Sequence, residues 1–229
     1  MQDAEKANDG FRSETAAMEM ILINAQGDKT TRRMASRVLE LSDDGDRSLI
    51  TFDWPADVKG TRMLTWSHKV KTDDQWLYLP SLGRVKRISS RNKSGSFMGS
   101  EFAYEDLGSQ ETEKYTDYKY LGDDTIGGRQ TWKVQRVPTE RRSGYSKQIV
   151  WMDTEYQNAL KIEYYDRKGE LLKTMTFSGY KQFNNKYWRV TRIDVTNHQT
   201  LKKSSLTWSK RSLGADIDET EFESESLSE

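Results

Sequence analysis

The chain has 229 residues, a formal net charge of zero and no cysteine. Neutrality removes any global pull toward nucleic acid or an acidic membrane, and the absence of thiols excludes disulfides, thiolate metal sites, cysteine nucleophiles and a lipid-modified cysteine within these 229 residues. Hydrophobic residues are only 34% of the chain, yet seven Trp, eleven Tyr, seven Phe and eight Met supply the bulk for a core or a cavity lining, a composition unlike that of disordered segments.

The first residues, 3–12, read as a short polar helix or a frayed start. Strand signals begin at residue 15. Residues 16–24 alternate and stop at Gln26-Gly27-Asp28, and residues 29–41 run back as a partner. Asp43-Asp44-Gly45-Asp46 marks the next turn; it lacks the ligand spacing of a calcium loop. Residues 48–54 form a third strand stopped by Pro55, and residues 61–70 a fourth, with Leu64, Trp66 and Val70 on one face by period two. The fifth strand, 75–79, enters a Pro-Ser-Leu-Gly turn. The sixth, 84–89, is basic, carrying Arg84, Lys86 and Arg87. An apolar stretch follows, with glycines on both sides of Phe97-Met98 and four-residue spacings (Met98 to Phe102, Ala103 to Leu107) that suit a short helix. A helix of that length needs docking against the sheet to persist.

Strands resume after Lys114; Gly127-Gly128 closes a turn before residues 131–137, and 147–152, 160–165, 171–180, 187–195 and 204–209 follow, with turn residues at regular intervals. The pattern predicts an all-β antiparallel sheet, curled or closed, and the lack of amphipathic helices between strands excludes a parallel α/β fold. Three prolines and no Gly/Ser-rich linker point to a single domain spanning 1–229. The tail from Asp216 is acidic throughout and reads as solvated. No apolar run reaches the length of a membrane-spanning helix.

Catalytic signals are sparse. His68 and His198 lie in separate strands without zinc spacing. No nucleophile elbow or phosphate loop is present, and carboxylates are plentiful without any pair being singled out. A non-enzymatic protein without a cofactor is the reading that remains. The basic strand beside Trp76 and Tyr78 has the ingredients of single-strand nucleic-acid binding, but Glu101, Glu105 and Asp106 follow closely and oppose it. Apolar ligand binding fits better, because methionine adapts to a variable acyl chain. Met18, Met20 and Leu22 alternate along the first strand, and Leu64, Trp66, Leu79, Met175 and Phe177 are further candidates for a lining, with an ordinary core as the competing reading.

Residues 76–107 carry a resemblance. Trp76-Leu77-Tyr78-Leu79-Pro80, Gly83-Arg84-Val85-Lys86-Arg87-Ile88-Ser89 and the run from Gly95 through Phe97-Met98-Gly99 and Phe102 to Leu107 resemble the signature of the outer-membrane lipoprotein-sorting (LolA-like) proteins of Gram-negative bacteria. Asp57-Val58-Lys59-Gly60-Thr61, the 145–151 strand and Phe222 extend the match over most of the chain; Glu101 stands where the family often has Asp. The resemblance implies a mainly β, LolA/LolB-like fold: a strongly curved antiparallel sheet forming an unclosed half barrel with short covering helices. It also implies a periplasmic location after removal of a signal peptide, and acyl chains of a lipid or lipoprotein bound on the concave face. Phe97, Met98 and Phe102 become a movable lid in that reading, and Arg84, Lys86 and Arg87 a basic surface for lipid phosphates or an acidic partner. The alternatives are a module that docks on an inner-membrane exporter and carries nothing, and a hydrolase.

Overall fold

The computed structural model describes residues 9–228. Of the polar stretch expected at 3–12, residues 3–8 lie outside the described residues, and 9–12 are irregular. One thirteen-stranded antiparallel sheet dominates. Its first arm is a meander of β1 (Ser13–Ile23), β2 (Lys29–Leu39), β3 (Arg47–Trp54), β4 (Arg62–Trp66), β5 (Asp74–Leu79) and β6 (Arg84–Arg87). The second contains β7 (Tyr115–Ile126), β8 (Arg129–Pro138), β9 (Tyr145–Asp153), β10 (Ala159–Asp166) and β11 (Leu171–Ser178). A small separate hairpin, β12 (Lys181–Phe183) with β13 (Tyr187–Arg189), precedes the last two strands of the sheet, β14 (Arg192–Asn197) and β15 (Lys203–Leu213). The arms join at mid-sheet, where β1 pairs with β15 and sets Met20 opposite Leu206. β6 and β7 are the two edges, so the sheet is not closed into a barrel.

Curvature has a local cause. Register shifts interrupt the ladders of β1/β15, β2/β3, β9/β10 and β7/β8, and each bulge bends its strand and steepens the twist. The curl gathers distant strands around one core. Met18 and Met20 (β1), Met34 (β2), Met63 (β4), Val150 (β9) and Met175 (β11) belong to the same buried cluster.

The other face of the first arm carries a second cluster. Leu49, Leu64 and Trp76 are successive cross-strand partners on β3, β4 and β5, and the C-terminal segment lays Phe222 and Leu227 over them. The tail is therefore a packed strap and not the solvated run that its charge suggests. Glu221 pairs with Arg37, Glu223 with Arg47 at 2.9 Å, and Trp66 Nε1 donates to the Phe222 carbonyl at 2.7 Å.

Three local expectations are corrected. The apolar stretch 95–107 contains no α-helix: it is a tight hairpin followed by a 3-10 turn, Tyr104–Leu107. Residues 187–195 split between β13 and β14, because Val190-Thr191 leaves the ladder. Val70 lies beyond the end of β4 and is exposed.

Candidate functional site

Residues 95–107 fill the hollow of the curled sheet. Met98 and Gly99 take left-handed φ values of 50° and 77° and reverse the chain; Gly99 adopts that region without steric cost. The hairpin satisfies its own backbone. Phe97 N–H donates to the Phe102 carbonyl at 2.7 Å, Ser100 N–H to the Phe97 carbonyl at 2.9 Å, and Ser100 Oγ to the same carbonyl at 2.7 Å. Freed from backbone duties to the sheet, the segment drives Phe97 and Phe102 inward until they are 2% and 3% exposed. The Phe97 ring lies 5.8 Å from that of Phe52 and 5.7 Å from that of Tyr104.

A polar latch holds the hairpin to the second arm. Lys173 Nζ donates to Asp106 Oδ2 at 2.5 Å and to the Glu101 carbonyl at 2.9 Å. Asn197 Nδ2 donates to Glu101 Oε2 at 2.7 Å, Glu101 N–H to Ser204 Oγ at 3.0 Å, and Tyr145 Oη–H to Asp106 Oδ1 at 2.7 Å. Arg32 reaches the Met98 carbonyl from β2. Burial pushes the Tyr145 and Tyr164 phenols well above their ordinary range, so both remain neutral donors. Glu105, at the foot of the hairpin, accepts from Ser143 Oγ at 2.7 Å and from Gly144 N–H at 2.8 Å, and burial raises its carboxyl pKa. Gly144 is required here, since a Cβ would stand 2.8 Å from Ser94 Cβ and 3.0 Å from Glu105 Oε1.

The candidates from the sequence separate into two groups. Met18, Met20, Phe97, Phe102 and Met175 are buried in the concave cluster, with Leu22, Leu79, Met98 and Phe177 packed against it. Leu64 and Trp66 belong to the opposite face under the C-terminal strap, so the structure removes them from a concave lining. Their shared face is as the alternation predicts, but it is Met63, the residue just before Leu64, that points into the hollow cluster. Arg84, Lys86 and Arg87 are exposed on edge strand β6, with Arg87 bonded to Asp74. Sequence reasoning missed the latch. Its signal was Lys173, a charge on the same face of β11 as buried Met175, where alternation calls for an apolar residue.

Both histidines are engaged by polar side chains. His68 sits between Asp44 Oδ2 at 2.5 Å and Asp74 Oδ2 at 3.1 Å, and His198 bonds Thr174 Oγ1 at 2.8 Å. Among the described residues no group of three or more His, Cys, Asp or Glu has the arrangement to hold a metal ion, and no helix is long and apolar enough to cross a membrane.

The whole chain superimposes on the crystal structure of an outer membrane lipoprotein-sorting protein domain from Vibrio parahaemolyticus, with a TM-score of 0.96 and 49% identity over 96% of that chain. The chain belongs to this lipoprotein-sorting family. A family model described as an uncharacterized protein matches residues 44–229 of this chain. A DUF1329 family protein from Desulfovibrio piger is similar at 29% identity and a TM-score of 0.92, covering 99% of this chain and 95% of its own. A LolA superfamily protein from Nitrosomonas europaea shares the fold at 20% identity and a TM-score of 0.75, over 97% of this chain and 94% of its own. A comparison with curated proteins finds no match. The family relation supports a carrier-like fold for this chain.

Proposed function

We propose that this lipoprotein-sorting domain is a periplasmic carrier or acceptor of acyl chains in outer-membrane lipid or lipoprotein traffic. The observation that carries the reading is the way the hollow is filled. A methionine-rich concave face is stoppered by two phenylalanines from one connecting segment, and that segment is held by side-chain bonds outside the sheet ladder. Withdrawing both rings forfeits about 3–6 kcal/mol of burial. Each methylene that replaces them returns about 0.8 kcal/mol, so an acyl chain of roughly eight buried methylenes restores the balance. Free fatty tails of ordinary lipids exceed that length. The exposed basic edge of β6 supplies a contact for anionic lipid surfaces or an acidic partner.

The filled hollow also suits the competing reading, a docking module that carries nothing. Locking the lid separates them. Because the chain has no native cysteine, the pair Glu101→Cys and Ser204→Cys, placed where Glu101 N–H meets Ser204 Oγ at 3.0 Å, allows one cross-link only, its formation checked by mass before the assay. The reduced double variant is expected to take up a fluorescent fatty acid, and the oxidised form to lose that uptake with its circular dichroism unchanged. Equal uptake in both forms removes the lid from the mechanism, and no uptake in either favours the docking module.

A further inference from the structure

The two free edges of the sheet do not meet, and on the seam spanned by the 88–114 connection a cavity of about 900 Å³ opens between the β4–β5 and β8–β9 turns, within the range of about 300–1,000 Å³ usual for small-molecule sites. Asp73, Gln75 and Lys93 line it from the β5–β6 side, and Lys114, Arg142 and Gln148 from the β7–β9 side. Three features of the wall bear on what it takes.

The first is an unmet acceptor. Gln75 is 1% exposed and spends its amide nitrogen on the Tyr104 carbonyl at 2.9 Å and Thr65 Oγ1 at 3.4 Å. Its Oε1 has no hydrogen-bond partner among the described residues, and neither has Ser109 Oγ on the same cavity wall. A buried carbonyl left unpaired costs about 1–3 kcal/mol; both atoms are shut off from solvent, so a hydroxyl or ammonium donor in the cavity reaches them once their side chains rotate toward it.

The second is a pair of ammonium groups gathered at Asp73. Lys114 pairs with the Asp73 carboxylate, while buried Lys93 donates to the Asp73 main-chain carbonyl and lies within the field of Asp73, Asp74 and Glu140. Arg142 adds a guanidinium near the mouth, where it donates to Ser90 Oγ at 3.2 Å. Glu105 and Glu140 also line the cavity. A ligand that is anionic at one end and donates hydrogen bonds at the other answers both signs.

The third is continuity with the lid. Asp106 and Tyr145 belong to the latch and also line the cavity, so a polar group in the seam and a chain under the lid are neighbours.

We propose that the seam cavity binds a phosphate ester bearing hydroxyl or ammonium donors, the chemistry shared by a glycerophospholipid headgroup and a free polyol phosphate. The phosphate lies against Lys93, Lys114 and Arg142, and the donors face Gln75, Ser109 and the two glutamates. The lipid source rests on the acyl-carrier reading; the site itself does not.

Calorimetric titration of the full chain with three probes tests it: monomeric dihexanoyl phosphatidylglycerol, glycerol 3-phosphate and decanoate. Lys114→Gln and Arg142→Gln are each expected to weaken the lipid about tenfold, the scale of one charge-assisted hydrogen bond, with decanoate affinity unchanged as the control for folding. Binding of glycerol 3-phosphate without lipid or decanoate assigns the seam to a free ester and removes the carrier reading alone. Lipid and decanoate binding that ignores both substitutions removes the seam site and leaves the carrier. If neither phosphate ester binds, the proposal is wrong.

Discussion

Replacing Lys173 with methionine isolates the latch. The Lys173 and Asp106 side chains are 4% and 3% exposed, so the change strands a carboxylate in the interior with the Tyr145 hydroxyl and the Ala103 N–H as its remaining donors. Breaking one side of a buried ion pair costs about 3–5 kcal/mol, a large share of the roughly 5–15 kcal/mol that holds a domain folded. Two routes relieve the cost: global unfolding, or release of residues 95–107 so that Asp106 reaches water. The second route caps the damage. Hydrogen exchange under native conditions distinguishes them at the amides of Phe97 and Ser100, which are bonded within the hairpin. Opening of the hairpin alone is expected to rise by about two decades or more, while amides paired between β1 and β15 keep their protection. Parallel acceleration of the hairpin and the β1/β15 amides, or no acceleration in a folded protein, refutes the independent lid.

Two further outcomes test other parts of the structure. Phe222→Ala empties a fully buried position beneath the strap and is expected to cost about 3–5 kcal/mol, read by urea unfolding together with a red shift of the Trp66 and Trp76 emission. Asp46 has its pKa raised from 3.8 to about 6 by burial, so the folded state holds an extra proton between those values and stability falls as pH rises through that window. Asp46→Asn lacks that slope; melting curves from pH 4 to 7 are expected to show the variant gaining on the wild type up to about pH 6 and holding its lead above it.

Most strands were legible because turn residues bracket alternating runs, and an antiparallel ladder needs little else. The pairing of β1 with β15 was not, since no local pattern says which distant strand completes a meander. Alternation grouped Leu64 with Trp66 correctly, yet period two cannot say which face of a sheet is concave when both are covered. Phe222 and Leu227, isolated in an acidic tail, gave little sign that the outer face had a cover. The spacing of Met98 and Phe102 matches a helix but is met equally by a hairpin, and Gly99 at its tip decides for the hairpin. Lys173 was visible as a charge in an inward register, and its partners come from segments far away in sequence.

The connection that crosses the seam runs from the end of β6 to the start of β7, residues 88–114. Drawn out fully at about 3.4 Å per residue, a tether of that length spans roughly 90 Å. The sheet itself, laid flat at about 4.8 Å between strands, measures roughly 58 Å from edge to edge. The chain therefore has slack to spare at every degree of opening. Covalent connectivity does not restrain the withdrawal of the stopper, whose resting place is held by contacts that a ligand or a partner can exchange for its own.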